Sequence, residues 1–455
     1  MRSLLACLLL LPLAVVAQTS TRLGKSLDRL LGDTLFEAGD VSIVVYDLTD
    51  GRQLYAHREH KTVRPASVQK VMTSVVALDR LGSSYTIDTE LLGSASANCN
   101  NLYVKGSVDP LFSDVDMKRM AMSVPAGTVV DTLFADCSFT DSLYWGPGWM
   151  WDDNPYGYQP YLSPLMVCGG AVEVNVWPSG KGRAPHYEVT PRSSFYTVVN
   201  EAESYNPELP KLTVLRDWLD NSNIIRIRGN CTAPYKESIN MYMSADFFLA
   251  MLVEKLAAEG VEVRNIAFSK TPHDAHLLHC CSRYLVDVVD EALVESDNLC
   301  AEALLYHLAA ADNHPPHSME QGCAVMRSYM TDSIGISRSF AIVDGSGLST
   351  YNFSSAAMVV EVLKYAYGNS AVFDVFYGHL PQAGVSGTMK RRATGTAAYK
   401  KVRAKTGTVR GVCSLAGYAL AADGHLYAFA IMNSGLQKPS HVREWQDKVL
   451  DAICK

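Results

Sequence analysis

The chain has 455 residues, of which 48% are hydrophobic and 19% are charged. This length allows two or three domains, and the balance of residues is that of an ordinary globular protein. The net charge of −7 gives no electrostatic reason to bind nucleic acid, so we predict no nucleic-acid partner.

The first residues have the pattern of an export signal. Arg2 precedes thirteen apolar residues from Leu4 to Val16, and the stretch ends in small residues before Gln18. Thirteen apolar residues are too few for a comfortable membrane span, and no later apolar run approaches the length of about 18 that marks one. We therefore predict a signal peptide at residues 1–17 and an exported chain without a transmembrane anchor, in the periplasm or elsewhere in the bacterial cell envelope.

Eleven cysteines are present, ten of them beyond the predicted signal. Export permits disulfides, but the sequence does not determine how the cysteines pair. There is no Cys-x-x-Cys pair, and the cluster His273, His276 and His279 is interpreted as a polar linker. We predict no metal site and no cofactor, and the sequence gives no oligomeric state.

The first predicted elements are a helix and a hairpin. Residues 26–37 have the spacing of an amphipathic helix. A β-branched run over residues 41–46 is followed by the turn signal Thr49-Asp50-Gly51 and by a second strand-like run at residues 53–55. This arrangement predicts two antiparallel strands.

A buried helix is predicted next, beginning at residues 65–70 (PASVQK). Pro65 suits a helix entry, apolar residues then recur at helical spacing, and Gly82 offers a stop. Ser67 and Lys70 are three residues apart, so they share one helix face and place a hydroxyl beside an amine. A serine nucleophile with a lysine base requires this arrangement, although an isolated Ser-x-x-Lys more often marks a solvated helix face.

The sequence pattern of residues 86–275 differs from that of the preceding residues. Short strand-like runs are separated by Gly, Pro, Asp and Ser, and long helical patterns are nearly absent until Ser244. Ser244 is a candidate N-cap for a helix that Gly260 ends. We interpret the stretch as one or two mostly β subdomains inserted into the first domain.

An aromatic loop is predicted within this insertion. Residues 144–153 (YWGPGWMWDD) contain three of the chain's six tryptophans. Gly and Pro exclude a regular element, so packing of the rings is expected to hold the loop. Two interpretations remain open: a local aromatic core, or a binding wall in which Asp152 or Asp153 supplies the charge.

Helical patterns return over residues 284–294 and 298–310, with Ser296-Asp297-Asn298 at their junction, and again over residues 355–367. Ser-x-Asn also begins at three other serines, but only Ser296 lies between two predicted helices. This context selects Ser296 and Asn298 as candidate site residues.

The C-terminal part predicts three consecutive antiparallel strands at residues 401–404, 413–420 and 426–432, followed by a helix at 442–453. The first strand leads into Lys405-Thr406-Gly407-Thr408, which contains the chain's only Lys-Thr-Gly. Gly407 would let a substrate backbone approach a strand edge, and Lys405 and Thr406 could bind a carboxylate by charge and hydroxyl. Because strands occur at both ends with helices between them, we predict one α/β domain formed by residues 18–85 and 276–455.

Ser-x-x-Lys, Ser-x-Asn and Lys-Thr-Gly in this order form the signature of penicillin-recognising serine acyl enzymes. With them, the whole mature chain resembles the D-alanyl-D-alanine carboxypeptidases and endopeptidases of the class C penicillin-binding protein family. Five further segments carry the resemblance, at residues 106–110, 146–149, 344–349, 380–384 and 415–417. The resemblance implies a β-lactamase/transpeptidase-like domain, an antiparallel sheet with helices, carrying a large and mostly β insertion. It also implies peptidoglycan stem peptides and β-lactams as ligands.

The resemblance implies a role for each motif residue. Ser67 would attack the D-Ala-D-Ala carbonyl, Lys70 would accept its proton, Ser296 would relay a proton to the leaving amine, and Asn298 would hold the substrate amide. Lys70 must be neutral for this, so its pKa must fall through burial and the nearby charge of Lys405.

The Lys-Thr-Gly strand would bind the other end of the substrate. Lys405 and Thr406 would hold the terminal carboxylate, and Gly407 would line the strand edge. The N–H groups of Ser67 and Thr408 resemble the family's oxyanion hole.

The resemblance also points to residues outside the three motifs. Asp152, three residues after Trp149, matches by motif position the acidic residue with which relatives hold the free amine of the stem peptide; the alternative interpretation of Asp152 is a cap or turn aspartate. Trp149 is predicted to bind substrate beside it. Arg410 stands where a neutral residue is more usual and could meet a carboxylate of that peptide. Thr350 replaces an arginine that is frequent in the family, and residues 168–170 (CGG) replace a more polar stretch.

Three rival interpretations remain. A β-lactamase shares the motifs but rarely carries a large insertion and must release the penicilloyl group quickly. A non-catalytic wall-binding scaffold would have no need of an intact nucleophile, base and carboxylate clamp. An exported globular protein with chance motifs is the plain alternative. The balance between carboxypeptidase and endopeptidase activity is not determined by the sequence.

Overall fold

The computed structural model describes residues 22–94 and 100–455. The predicted signal peptide at residues 1–17 lies outside the described residues, as does the cysteine at position 99. Within the described ranges, no helix combines the length and the apolar character needed to cross a lipid bilayer.

Most of the predicted long helices are present. The α-helices of the described residues are α1 (Arg22–Leu31), α2 (Gln69–Leu81), α3 (Asp114–Met122), α4 (Ser244–Ala258), α5 (Leu285–Val294), α6 (Asn298–Asp312), α7 (Met319–Asp332), α8 (Ala356–Gly368), α9 (Ser370–His379) and α10 (Pro439–Ile453). Three of them, α3, α7 and α9, have no counterpart among the predicted elements. The predicted N-cap role of Ser244 is wrong, because Ser244 is the first residue of α4 and the capping position is Met243.

The strands are mostly short outside the terminal sheet. In chain order they are β1 (Asp40–Asp47), β2 (Arg52–His57), β3 (Thr86–Gly93), β4 (Leu102–Lys105), β5 (Val129–Val130), β6 (Leu133–Asp136), β7 (Ala171–Trp177), β8 (His186–Thr190), β9 (Thr197–Asn200), β10 (Glu203–Ser204), β11 (Thr213–Arg216), β12 (Ile224–Arg228), β13 (Asn230–Cys231), β14 (Tyr235–Asn240), β15 (Glu262–Val263), β16 (Ile266–Phe268), β17 (His276–Tyr284), β18 (Val402–Val409), β19 (Val412–Leu420) and β20 (Leu426–Ser434).

One five-stranded sheet joins the two ends of the described chain. Its order is β18-β19-β20-β1-β2, and every neighbouring pair is antiparallel. The predicted hairpin and the three predicted C-terminal strands are therefore confirmed. So is the predicted fold class, in which an antiparallel sheet packs with helices.

Helices cover both faces of this terminal sheet. Side chains alternate along a strand, so Val44 packs into one hydrophobic core with α2, α5 and α6, whereas Ile43 and Val45 pack into another with α1 and α10. Trp445 of α10 is 1% exposed and anchors the second core. The sheet is thus buried on both sides, and only its edges and loops can form a cleft.

A second region lies between α2 and α5 in the chain. It has its own hydrophobic core and a five-stranded sheet in the order β16-β6-β4-β3-β17, together with several two- and three-stranded sheets. The helix α3 lies here and begins with a capping box between Ser113 and Asp116, a pattern readable in the sequence but not used in the prediction.

The predicted boundary at residue 275 separates two strands that pair. β17 (276–284) is hydrogen-bonded to β3 (86–93), which lies on the other side of that boundary. The interpretation of His276 and His279 as linker residues is wrong, because both lie in β17. The division into residues 18–85, 86–275 and 276–455 stays a prediction.

Candidate active site

Ser67 lies in a short 3₁₀ turn, Ala66–Val68, that leads directly into α2. Ala66 has a φ of 49°, in the left-handed region that residues other than glycine seldom adopt. Lys70 follows one turn later and is fully buried, while Ser67 is half-buried. The helical spacing brings Lys70 Nζ within 3.2 Å of Ser67 Oγ. The helix then ends where expected, at Gly82, whose φ is 82°.

Lys70 Nζ is held by three parts of the chain. Besides Ser67 Oγ, it donates to Asn298 Oδ1 at 2.7 Å and to the carbonyl oxygen of Ser346 at 2.9 Å. All three directions in which an ammonium group can donate are therefore used. This arrangement fixes the amine against the Ser67 hydroxyl.

Burial changes the protonation of this amine. It lowers the pKa of Lys70 from 10.5 to about 8, although the neighbouring carboxylates of Asp297, Asp344 and Glu302 act to raise it. At pH 7 about one molecule in ten then carries a neutral Lys70. The expected cause of the shift, burial, is the largest one. The charge of Lys405 is not among the principal causes.

Ser296 and Asn298 lie where α5 ends and α6 begins. Ser296 has a φ of 67°, and the side chain of Asp297 caps α6 by accepting the N–H of Cys300 at 2.7 Å. Asn298 therefore starts the helix with its amide aimed at Lys70. Its Nδ2 donates to the carbonyl oxygen of Tyr158 at 2.8 Å, so one of its two amide hydrogens is already engaged by the inserted region.

The strand β18 brings Lys-Thr-Gly to the same place. Side chains alternate along it, so Lys405 and Gly407 share the face that meets α2, while Thr406 and Thr408 share the face toward α10. A Cβ at Gly407 would lie 2.9 Å from the Ser67 nitrogen and 2.9 Å from the Pro65 oxygen. The space that a side chain at this position would fill is thus occupied by the Ser67 turn, and this turn requires a glycine here.

The backbone of β18 presents donors at a sheet edge. Ala404 N–H donates to the Pro381 carbonyl oxygen at 2.9 Å, on the side away from β19. Because backbone groups alternate along an antiparallel strand, the N–H groups of Thr406 and Thr408 point to that same outer side. Both threonines line the cleft described below, so their N–H groups face it.

Lys405 is a second fully buried amine. Burial, followed by the charge of Lys70, lowers the pKa of Lys405 well below 10.5. Its Nζ donates to the carbonyl oxygen of Thr406 at 3.1 Å. Lys405 therefore lies beneath the strand edge rather than in open solvent.

Two lobes of one cleft share Ser67, Ser296 and Thr408 as lining residues. The lobe that contains Asn298, called the Asn298 lobe, has a volume of about 580 Å³. The lobe that contains Thr406, called the Thr406 lobe, has a volume of about 560 Å³. The Asn298 lobe is further lined by Asn298, Tyr158, Asp152, Asp153, Arg64 and Arg410. The Thr406 lobe is further lined by Thr406, Gly387, Lys390, Arg391, Arg392 and Arg443. The three motifs, distant in the chain, therefore meet at the centre of one cleft.

Comparison with known proteins identifies the family. Residues 23–453 match the model of the D-Ala-D-Ala carboxypeptidase 3 (S13) family. The chain belongs to this family. It is therefore a serine-type D-Ala-D-Ala carboxypeptidase, and the predicted family and enzyme class are confirmed.

Individual relatives agree with this assignment. A D-alanyl-D-alanine carboxypeptidase of Actinomadura sp. (strain R39) is 28% identical over 447 residues, which cover 92% of this chain and 82% of the relative. The crystal structure of penicillin binding protein 4 from Haemophilus influenzae has a TM-score of 0.81 and 22% identity, covering 93% of this chain and 97% of that one. The same protein in complex with a novel β-lactam has a TM-score of 0.76 and 20% identity, covering 94% and 99%. These structures share the fold of this carboxypeptidase.

The structure corrects one residue of the predicted wall. The Trp149 side chain of this carboxypeptidase packs in the core, where Trp149 is 9% exposed, and its indole N–H donates to Asp344 Oδ2 at 3.0 Å. Trp149 does not line either lobe, so its assignment to substrate binding is not retained. Trp149 therefore belongs to a local aromatic core, one of the two interpretations of the loop, whereas Asp152 lines the Asn298 lobe and its binding role stays a prediction.

Asp152 and Arg410 both reach the Asn298 lobe. Asp152 and Asp153 form a 3₁₀ turn with Trp151 at the lobe's rim, and Arg410 follows the end of β18. Burial raises the pKa of Asp153, while the hydroxyl of Tyr158 and the charge of Arg410 oppose the rise. Asp152 is exposed, so its carboxylate is more available to a ligand than that of Asp153. Its role and that of Arg410 stay predictions.

The loop after α7 contributes groups to the site that the motifs did not predict. The buried carboxylate of Glu302 accepts the N–H groups of Gly345 at 3.0 Å and Ser346 at 2.9 Å, which holds the Ser346 carbonyl on Lys70. Burial raises the pKa of Glu302 to about 8. A Glu isolated among apolar residues of a predicted helix was the signal available in the sequence.

Gly347 lets this loop reach the Ser67 turn. Its φ is 83°, and a Cβ there would lie 1.9 Å from the carbonyl oxygen of Ala66. Asp344 closes the loop by accepting the N–H of Gly347 at 2.8 Å and, through its other oxygen, the Trp149 indole. The segment at residues 344–349, noted only for its family resemblance, is thus the support for the Ser67 turn.

Other predicted features do not enter the cleft. The nine cysteines of the described residues are all free thiols. Asp47, Asp50 and His425 are grouped closely enough to hold a metal ion, but Asp47 Oδ1 already accepts the N–H groups of Thr49 and Asp50, and none of these residues lines either lobe. The expected absence of a metal stays a prediction.

Proposed function

We propose that this carboxypeptidase hydrolyses D-Ala-D-Ala bonds of peptidoglycan stem peptides through an acyl-enzyme at Ser67, and that it also cuts cross-links between stem peptides. The observation that carries the proposal is the 3.2 Å contact between Ser67 Oγ and the buried Lys70 amine, at the junction of two lobes of a cleft. A weakly acidic serine hydroxyl needs such a base to become a nucleophile.

In the acylation step, Ser67 Oγ bonds to the carbonyl carbon while its proton passes to the neutral Lys70 amine. The peptide C–N bond then breaks, and the leaving amine receives a proton through Ser296, which lines both lobes. Water subsequently attacks the ester, loses a proton to the same base and releases the peptide with Ser67 restored.

The negative charge that develops on the carbonyl oxygen would be held by the N–H groups of Ser67 and Thr408. The Thr408 N–H points to the cleft side of β18, and the Ser67 turn packs directly against Gly407 beside it. Two fixed backbone donors cost no reorganisation during the reaction, which is the source of their effect on the rate.

The terminal carboxylate of the substrate would lie in the Thr406 lobe. Thr406 offers its N–H and hydroxyl at the strand edge, and the Lys405 amine lies beneath the strand, on the Thr406 carbonyl oxygen. A carboxylate accepts charge-assisted hydrogen bonds from such groups. The peptide that becomes the acyl group would extend the other way, with its amide held by the free hydrogen of Asn298.

The far end of that peptide would meet the wall of the Asn298 lobe. We assign the free amine of the stem peptide to Asp152, which is exposed on the rim, and a carboxylate of the peptide to Arg410. Opposite charges at these two positions suit a side chain that carries both an amine and a carboxylate.

We also place this enzyme in the cell envelope, exported by a signal peptide at residues 1–17, and acylated by β-lactams. The apolar pattern of that segment supports export. The β-lactam complex of the related Haemophilus influenzae protein supports inhibition by this class of compound.

Labelling with a fluorescent penicillin tests the nucleophile. Wild type should be labelled persistently and should release D-Ala from a pentapeptide muropeptide, whereas Ser67→Ala should lose both activities. Ser74→Ala is the matched control, because Ser74 lies in α2, which directly follows the Ser67 turn, is buried and makes no hydrogen bond through its hydroxyl. Labelling of Ser67→Ala at the wild-type level would exclude the mechanism. Rapid turnover of a chromogenic β-lactam would favour a β-lactamase instead.

A further inference from the structure

The Thr406 lobe is lined by an excess of positive charge. Lys390, Arg391, Arg392 and Arg443 all line it, and no Asp or Glu does so among the described residues. The Asn298 lobe, by contrast, balances Asp152 and Asp153 with two arginines. Four cations on one side of the nucleophile are notable in a chain whose net charge is −7.

One of the four cations is neutralised and serves to build the wall. Arg392 is 8% exposed, forms an ion pair with Asp447 at 2.8 Å and donates to the backbone carbonyl of Arg443 at 3.0 Å. These contacts tie the turn at residues 387–393 to α10. Arg392 therefore holds the two walls of the lobe together rather than offering a free charge.

The other three cations remain available to a ligand. Lys390, Arg391 and Arg443 are exposed, and within the described residues none of them forms an ion pair. Arg443 Nη2 donates to the hydroxyl of Thr408 at 3.3 Å. We call Lys390, Arg391 and Arg443 the basic subsite.

The position of the basic subsite relates it to one part of the substrate. The proposed mechanism places the leaving group in the lobe that contains Thr406, next to Ser67. A single D-Ala leaving group brings one carboxylate, and Thr406 with Lys405 already accounts for it. A lobe of about 560 Å³ is of the size that accommodates a much larger ligand.

We propose that the basic subsite binds a leaving peptide strand that carries further carboxylates, and so favours cleavage of cross-linked dimers over release of terminal D-Ala. This inference rests on the proposed function and names its preferred leaving group. Cations at an open subsite attract carboxylates over a Debye length of about 8 Å at physiological ionic strength, so the preference should weaken as salt is added. Electrostatic attraction of this kind acts mainly on association and thus on KM.

The double variant Lys390→Gln/Arg391→Gln tests the proposal without changing the residues placed on the D-Ala carboxylate. Two substrates share the acyl strand: a pentapeptide that releases D-Ala, and a cross-linked dimer whose leaving strand carries free carboxylates. We expect kcat/KM for the dimer to fall about tenfold, through KM, and kcat/KM for D-Ala release to fall less than about threefold. Lys181→Gln/Lys270→Gln is the matched control, because it removes the same charge from exposed lysines outside the cleft.

A third substrate separates charge from size. In a dimer whose leaving-strand carboxylates are amidated, except the one next to the scissile bond, wild type should lose most of its advantage over the double variant. The double variant, which keeps Arg443, should distinguish the two dimers less than wild type does. Equal losses on all substrates, or a wild type indifferent to amidation, would overturn the basic subsite while leaving the acyl-enzyme at Ser67 intact. A failure of the proposed function would be seen in a separate measurement, because Ser67→Ala would then still release D-Ala.

Discussion

The centre of the cleft and its walls are built differently. At the centre, Lys70 and Lys405 are fully buried, and each hydrogen bond of Lys70 goes to a fixed partner. On the walls, Asp152, Arg410 and Lys390 are exposed side chains. Desolvated groups with fixed partners have strongly shifted pKa values and large effects when altered, whereas exposed charges are screened by water and salt. The centre should therefore determine the rate and the walls the choice of substrate.

After loss of the Ser67 hydroxyl itself, the largest effect at the centre is expected from Gly407→Ala. The added methyl group would lie 2.9 Å from both the Ser67 nitrogen and the Pro65 oxygen, which are backbone atoms that cannot turn aside. Displacing the Ser67 N–H would remove an oxyanion donor, and the acylation rate should fall on the order of 10²-fold. Stopped-flow measurement of acylation by a fluorescent β-lactam gives the rate.

Gly378→Ala is the control for that substitution. Gly378 lies in α9 with no atom within 4 Å of its Cβ position, so the variant should acylate as wild type does. Thermal unfolding of both variants shows whether a slow Gly407→Ala enzyme is folded. A folded Gly407→Ala variant with the wild-type rate would show that the turn can move away from the strand.

The pH dependence tests the second feature of the centre, the neutral amine. Because burial lowers the pKa of Lys70 to about 8 and the base acts when neutral, kcat/KM should rise about tenfold per pH unit below 8 and level off above it. The sign follows from the shift: protonation below the pKa removes the base, so activity is lost as the pH falls. A pH profile of D-Ala release measures it.

Glu302 titrates in the same range and must be separated from Lys70. Its pKa is raised to about 8 by burial, and it holds the loop that carries Ser346. Glu302→Gln keeps an acceptor for one of the two loop N–H groups and removes the titration. If the rising limb persists in this variant, Lys70 is responsible; if the limb disappears, the assignment to Lys70 is wrong.

The smallest effect belongs to the wall. Asp152→Ala should lower kcat/KM for peptides with a free amine by about threefold and leave acetylated peptides unaffected, because an exposed ion pair contributes only about 0.2–1 kcal/mol. Asp153→Ala is the comparison variant on the same turn, and its carboxylate is occupied by the Tyr158 hydroxyl. Equal losses on free and acetylated peptides would remove Asp152 from amine recognition.

Much of the centre was predictable because its residues are joined by local structure. Three residues along a helix always place Ser67 and Lys70 on one face, and a helix junction exposes the Ser-x-Asn turn. Period-two alternation puts Lys405 on the face that meets α2. Pairing of the terminal strands followed from patterns at both ends of the chain, and the family resemblance supplied the roles.

The supporting groups were not predictable because they act through backbone atoms. The carbonyl oxygens of Ser346 and Tyr158 and the closeness of Gly347 to Ala66 depend on how loops pack, and any residue type can supply a carbonyl. The side chain of Trp149 was misassigned for a related reason. A loop of rings has an inner and an outer side, and the sequence does not say which ring lies on which.

By itself, the sequence determined the enzyme class through its family resemblance, and it selected Ser67 and Lys70 as candidate nucleophile and base because three residues along a helix bring them together. The tertiary structure alone decided which amines are buried away from solvent, which carbonyl oxygens accept hydrogen bonds from Lys70 and which cations line the Thr406 lobe. These properties arise from segments more than two hundred residues apart, as in the contact between Lys70 and Asn298. Burial and electrostatic interactions depend on the distance between groups in space, and this distance cannot be read from their separation along the chain.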